Sequence, residues 1–191
     1  MKGRSALLVV GLAIAAALVT SAPASAKPIE KGHFHDVFTG EVYDCDGTPA
    51  QDHGDVSGNF LGNLRGSGPF PYFRDSVHGT VVVTNLDNGG TYTNVFTANG
   101  HDHSIVDNGD GTITITVSSS GNSSWYDTNG DFVLKDTGQF RFSFDVDYNG
   151  TPGDPGDDVE VPDSFQLLKD FTGRNDTAGR DFCEDLVEFT N

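Results

Sequence analysis

The sequence predicts an all-β domain, an antiparallel up-and-down meander that closes into a small β-barrel and ends in a short helix. Apolar and polar residues alternate through the middle of the chain with the two-residue period of half-buried strands. Turn sequences such as Asn-Gly and Asp-Gly separate these runs at intervals typical of hairpins. Closure is favoured because it removes exposed strand edges, and a two-sheet β-sandwich is the alternative.

The clearest strand covers residues 139–147, where Phe140, Phe142, Phe144 and Val146 share one face. Residues 112–118 alternate in the same way, with isoleucine and valine opposite threonine. Weaker runs predict strands at 33–43, 56–61, 79–86, 91–97, 132–135 and 159–168. Turns are predicted at 87–90, 107–111, 127–131 and 136–138. Together these segments form seven to nine strands in sequence order.

Two segments do not follow the strand pattern. Residues 150–158 are rich in Gly, Pro and Asp and have no periodic apolar face, so they are predicted to form an acidic loop. In residues 180–189, Phe182, Leu186 and Phe189 recur at helical spacing, which predicts a short C-terminal helix.

The N-terminus has the pattern of a cleavable secretory signal peptide over residues 1–26. Lys2 and Arg4 precede an apolar run at residues 6–19, and Ala24-Ser25-Ala26 forms the small-x-small cleavage pattern. A membrane span needs about 20 apolar residues, so this run is too short, and an uncleaved anchor is the alternative. We therefore expect residues 27–191 to be a single secreted, extracellular domain with no membrane association after cleavage.

The charge of the chain is strongly acidic. The formal net charge is −17, and it becomes −19 when the two positive side chains of the signal peptide are removed. Such a surface repels phosphates, so nucleic acid and anionic lipid are excluded as expected partners, whereas divalent cations, basic proteins and neutral small molecules remain. Acidity that serves only solubility is the simpler interpretation.

The chain has two cysteines, Cys45 and Cys183. Two cysteines in an exported chain usually pair, and neither lies in a metal-binding or redox motif. We therefore predict a structural disulfide between Cys45 and Cys183, which would attach the C-terminal helix to the sheet.

Two His-x-His sequences are candidate metal ligands. His33 and His35 form one pair, and His101 and His103 form the other. Residues i and i+2 of a strand share a face, so each pair can present two imidazoles to one ion, with Asp36 or Asp102 as an additional ligand. If the pairs converge, they form a divalent metal site for zinc, copper or iron and support a metal-dependent enzyme. The alternative is solvent-exposed histidines, and no other cofactor is expected.

A second candidate site resembles the start of a calcium-binding loop. Asp145, Asp147 and Asn149 provide oxygen ligands at positions 1, 3 and 5, and Gly150 occupies position 6. The acidic ligand required at position 12 is missing, because Gly156 lies there. A calcium-stabilised extracellular surface protein is thus one hypothesis, and a solvated acidic loop is the other.

Aromatic residues suggest a ligand cavity. They are Phe96, Trp125, Phe132, Phe140, Phe142 and Phe144. In a barrel these side chains either fill the interior or line a cavity for a small apolar ligand. The sequence contains no nucleophile motif and no phosphate-binding glycine loop. The leading hypothesis is therefore a non-enzymatic secreted β-barrel that binds a small apolar or amphipathic ligand or an extracellular partner.

The overall pattern resembles a family of small exported actinobacterial proteins. The resemblance lies in the signal peptide, the early Cys45, the segment Phe73-Arg74-Asp75, the Val-Leu-Lys-Asp-Thr-Gly run within residues 131–141, and the ending Phe182-Cys183. These are structural motifs, so the resemblance implies no activity. In architecture the chain resembles lipocalin-like and allene-oxide-cyclase-like barrels, and that likeness implies the fold alone.

Overall fold

The computed structural model describes residues 29–65 and 68–191, so the predicted signal peptide lies outside the described residues. The elements are β1 Glu30–Thr39, β2 Tyr43–Cys45, β3 Thr48–Leu64, β4 Pro71–Asn85, β5 Thr91–Asp107, β6 Thr112–Tyr126, β7 Phe132–Asp147, a 3-10 turn Pro155–Asp157, β8 Val159–Glu160, β9 Gln166–Asn175 and α1 Phe182–Phe189. Within this part of the chain, no helix has the length and apolar character that crossing a bilayer requires.

The strands form one antiparallel sheet in the order β1-β3-β4-β5-β6-β7. β2 pairs with β3 beside β1, and β8 and β9 pair with the outer side of β7. The predicted all-β meander with a short C-terminal helix is confirmed. The sheet is curled into a half-barrel, because no ladder joins β1 to β9 within the described residues and both outer edges are free.

Several strands are longer than the sequence pattern indicates. The predicted turn at residues 136–138 is wrong, because β7 continues through it and Gly138 pairs with Gly121 on β6. β3 and β5 each have 17 residues and also extend beyond the predicted runs. By contrast, the turn between β5 and β6 is as expected, with Gly109 and Gly111 at positive φ values of 78° and 99°.

The two faces of the sheet differ in chemistry. The face that carries Phe140, Phe142 and Phe144 is here called the apolar face, and the face that carries Thr112, Thr114 and Thr116 the polar face. Alternation assigns strand residues to one of them, because successive side chains point to opposite sides, except where the register shifts in β5, at the Tyr126 end of the β6–β7 pair and in the β7–β9 pair.

Helix α1 covers one end of the apolar face. Leu186 and Tyr92 are almost completely buried, at 0% and 1% exposure, in a cluster with Cys45, Ala50 and Val83. The Tyr92 ring stacks on Trp125 at 4.6 Å and on Phe189 at 5.4 Å between centroids. The core of the protein therefore lies between this helix and the ends of β3 to β6.

Helix α1 has polar contacts at both ends. The Asp181 carboxylate accepts hydrogen bonds from the backbone N–H groups of Cys183 and Glu184, which caps the N-terminus of the helix. At the other end, the buried Asn85 side chain donates a hydrogen bond to the Thr190 hydroxyl at 3.0 Å. These contacts fix the helix on the sheet.

A line of small residues crosses the apolar face. Ala98, Gly121, Gly138 and Gly173 are paired in register on β5, β6, β7 and β9, and we call this line the glycine row. A Cβ atom on Gly173 would lie 3.0 Å from the Cα of Gly138, and one on Gly121 would lie 3.1 Å from the Cα of Ala98. The absent side chains allow the strands to approach closely, as a strongly curled sheet requires.

Candidate functional site

The two histidine pairs do not converge. His33 and His35 lie on the polar face of β1, and His101 lies on the polar face of β5. β3 and β4 separate these strands, which places the pairs three strand spacings apart, or about 14 Å. His103 is exposed beside the register shift between Asp102 and Ser104.

The contacts of these histidines are those of surface side chains and not those of a metal centre. His35 Nε2 lies 2.8 Å from the Asp55 carboxylate on the exposed surface. Within the described residues, the group of three ligand-type side chains at metal-binding distance is Asp46, Asp181 and Cys183, in which Cys183 is disulfide-bonded and Asp181 caps the helix. The structure gives His33, His35, His101 and His103 no common centre for an ion, and a divalent metal site at these residues stays a prediction.

The residues of the predicted calcium loop are occupied by local hydrogen bonds. Asp145 accepts a hydrogen bond from the Thr114 hydroxyl at 2.6 Å, across the β6–β7 ladder. Asp147 accepts one from the backbone N–H of Asn149, whose side-chain amide donates to the Asp157 carbonyl. None of the three belongs to the ligand group found in the described residues, so calcium binding at Asp145, Asp147 and Asn149 also stays a prediction.

Three of the predicted aromatic residues form a continuous ladder. Phe142 lies between Phe140 and Phe144, with ring centroids 5.6 Å and 6.1 Å apart. Phe165 and Phe171, from the segment that leads into and forms β9, extend this ladder with centroid distances of 5.4 Å and 6.2 Å. The sequence pattern did not include these two residues, because the alternation around β9 is weak. We call the five rings the phenylalanine ladder.

The other predicted cavity residues lie elsewhere. Trp125 packs beneath α1 against Tyr92, so it belongs to the core. Phe132 pairs with Tyr126 on the polar face and is 49% exposed. Phe96 is on the apolar face, opposite Gly79 on β4. The six residues therefore do not line one cavity.

Two carboxyl groups lie on the apolar face of β4 and β5. Asp102 is 7% exposed and accepts a hydrogen bond from the backbone N–H of Phe73 at 2.7 Å. The pKa of Asp102 is raised to about 6, mainly by burial and to a smaller extent by the charge of nearby Asp75, although this hydrogen bond and Arg65 act to lower the pKa. Burial also raises the pKa of Asp75. The Asp102 carboxylate thus provides a hydrogen-bond acceptor for the Phe73 N–H at the end of the β4–β5 ladder.

The raised pKa of Asp102 gives a testable pH dependence. A carboxyl whose pKa is higher in the folded state than in the unfolded state stabilises the fold at low pH, and this contribution is lost as pH rises through about 6. An Asp102→Asn variant lacks the titration. We expect its stability relative to wild type to increase by up to about 3 kcal/mol between pH 4 and pH 7. Urea unfolding at several pH values measures this difference, and a pH-independent difference would contradict it.

The polar face contains a groove of about 670 Å³ across β1, β3, β4 and β5. Basic side chains are prominent in its lining, with Lys31, His33, Arg65, Arg74 and His101 among them. The sequence analysis did not group these residues, because they come from four strands and their proximity depends on strand register. Only His33 and His101 were singled out, and for a different reason.

Comparison of the chain with family models, with curated proteins and with solved structures found no match.

Proposed function

We propose that this protein is a secreted, non-enzymatic binding protein that holds a small apolar or amphipathic ligand on the phenylalanine ladder. The observation that supports this proposal is a row of stacked aromatic rings on one face of a sheet that is curled into a half-barrel. Aromatic surfaces of this kind are the usual lining of sites for apolar ligands.

The ladder retains apolar surface that a ligand can cover. Phe165 and Leu167, which flank Phe142, are each 52% exposed, although both are large apolar side chains. Covering about 100 Å² of such surface contributes about 2.5 kcal/mol, so a ligand must cover several of these side chains at once to offset the cost of association. α1 covers the opposite end of the sheet and leaves this region uncovered.

The disulfide supports the secreted location in this proposal. Cys45 and Cys183 are bonded in the structure, with their Cα atoms 5.1 Å apart. Such bonds persist in oxidising compartments outside the cytosol, which is where the predicted signal peptide would direct the chain.

Substitution of one exposed ladder residue tests the site. We expect Phe165→Ser to weaken binding of the neutral dye Nile red about tenfold, because it removes a stacking partner of Phe142. Phe132→Ser is the matched control, since Phe132 is 49% exposed and lies on the polar face. Dye fluorescence titrated with each variant gives the dissociation constants.

The control variant should bind Nile red within twofold of wild type. Equal loss of binding in the two variants would show that the dye adheres to any exposed ring, and it would refute the ladder as the site. Absence of dye binding to the wild-type protein would refute the proposal as well.

A further inference from the structure

A row of basic side chains crosses the polar face from β1 to β7. Strand register aligns Lys31, Leu61, Arg74, His101, Ser118 and Arg141 on the neighbouring strands β1, β3, β4, β5, β6 and β7. We call the three charged members of this line, Lys31, Arg74 and Arg141, the cationic row, and His101 lies in the same line. Five strand spacings separate its ends, which is about 24 Å along the sheet.

These charges lack acidic partners, although the chain has 28 Asp and Glu residues and 11 Lys and Arg. Within residues 29–65 and 68–191, Arg174 and Arg180 form ion pairs with carboxylates, whereas Lys31, Arg74 and Arg141 form none. Arg141 instead donates a hydrogen bond from Nε to the Ser118 hydroxyl at 3.1 Å, which holds the guanidinium in the row. The positive charges are therefore available to an external anion.

The row also places basic side chains next to one another. Arg74 lies directly opposite His101, and both line the groove together with Lys31, His33 and Arg65. Within the described residues none of these five side chains forms an ion pair with a carboxylate. Basic groups gathered at one groove without acidic partners favour an anionic ligand.

A second row, next to the first, has the chemistry of sugar recognition. Register aligns His33, Asn59, Ser76, Asn99, Ser120 and Gln139 across β1 and β3 to β7. Amides and hydroxyls both donate and accept hydrogen bonds, as sugar hydroxyls require. The groove of about 670 Å³ lies where the two rows cross β1 to β5, and its volume is in the usual range of ligand sites.

We propose that the cationic row and the groove beside it bind an acidic polysaccharide, a carbohydrate chain with carboxylate or sulfate groups that lies across the strands. Charge complementarity selects an anion, the length of the row selects an extended one, and the amide and hydroxyl row selects a sugar. Nucleic acid and anionic membranes also carry negative charge, but they present it over broad surfaces that the rest of a chain with net charge −17 repels.

The net charge of the chain conceals this site. The acidic composition argues against polyanionic partners only if charges are evenly mixed over the surface. The register of the sheet instead places Lys31, Arg74 and Arg141 in one line, and none of them is in an ion pair within the described residues. The site is on the opposite face from the phenylalanine ladder, so this proposal does not depend on the proposed binding of an apolar ligand.

Single charge substitutions at matched positions test the proposal. Arg74→Gln removes a charge from the row, and Lys135→Gln removes one from the polar face of β7, six residues from Arg141 and outside the row. Binding of alginate oligosaccharides, dextran sulfate and neutral dextran to the purified protein is measured by calorimetry at low ionic strength. We expect Arg74→Gln to weaken the binding of acidic chains at least fivefold, and Arg74→Gln/Arg141→Gln at least twentyfold.

The controls have expected results as well. We expect Lys135→Gln to bind the acidic chains within twofold of wild type, and we expect neutral dextran not to bind. A preference between alginate and dextran sulfate identifies carboxylate or sulfate as the recognised group. We also expect both row variants to melt within about 2 °C of the wild-type temperature without ligand, because the replaced charges are not in ion pairs.

Four results would overturn the proposal. The first is that Lys135→Gln weakens polysaccharide binding as much as Arg74→Gln does, and the second is that neutral dextran binds. The third is that inorganic sulfate binds but the polysaccharides do not. The fourth is that a DNA oligonucleotide of the same charge binds as tightly as the polysaccharides.

Discussion

Simultaneous replacement of Cys45 and Cys183 by serine is expected to lower the melting temperature by roughly 10 °C. The bond joins residues separated by 138 positions, and closing a loop of that length restricts the unfolded chain by about 5 kcal/mol in the entropic model. Removing a native disulfide usually costs 2–5 kcal/mol of stability. We therefore expect the double variant to lose at least about half of the stabilisation that the entropic model gives. Thermal unfolding followed by circular dichroism measures the shift.

The disulfide also holds α1 against the sheet, so its loss should be visible before global unfolding. Trp125 is the single tryptophan of the chain and packs against the helix residue Phe182. We expect its fluorescence to shift to longer wavelength in the double variant below the melting temperature. The reduced wild-type protein is the control and should show the same shift. An unchanged melting temperature in both samples would contradict a stabilising role of the bond.

The second large effect is expected for Leu186→Ala, with a loss of about 2–5 kcal/mol in the free energy of unfolding. Leu186 has 0% exposure and packs in the cluster with Tyr92 and Val83, so its truncation leaves a cavity beneath α1. Val187→Ala is the control, because the neighbouring side chain on the same helix is 38% exposed and should cost less than 1 kcal/mol. Urea unfolding followed by Trp125 fluorescence compares the two. Similar losses in both variants would indicate that helix propensity, and not core packing, determines the effect.

The alternation of apolar residues was sufficient to predict the strands around Phe140 and Ile113, because one face of this sheet is apolar and the other is polar. The helix at Phe182 and the pairing of Cys45 with Cys183 were also predicted, because helical spacing and a count of two cysteines leave few alternatives. Residue spacing and residue counts indicate each of these features, and both can be read from a sequence.

Glycine residues misled the prediction of strand lengths. β3 contains Gly54, Gly58 and Gly62, which weaken the strand pattern. In the structure, phenylalanine rings from the neighbouring strands occupy the space where their side chains would lie, with Phe34 over Gly58 and Phe73 over Gly62. Such cross-strand cover stabilises glycine in a sheet. It depends on partners that are distant in sequence, so the composition of β3 alone does not reveal it.

Register explains why the candidate sites were only partly predicted. The phenylalanine ladder needed Phe165 and Phe171, whose positions follow from the pairing of β9 with β7. The cationic row combines residues from position 31 to position 141. The same register separates His33 from His101, which the sequence pattern had suggested as partners. Pairing between distant strands thus decides which side chains meet.

The pairing of Cys45 with Cys183 has a consequence for the order of folding. From β3 to β7 each strand pairs with the next one in the chain, so hairpins can form locally and early as the chain emerges. The buried cluster is different, since it joins Cys45 and Ala50 near the beginning to Leu186 near the end. Its assembly must wait until the last residues are available. A polypeptide that lacks its final helix would therefore keep a curled sheet with an uncovered aromatic core around Tyr92, and such an intermediate is prone to aggregate.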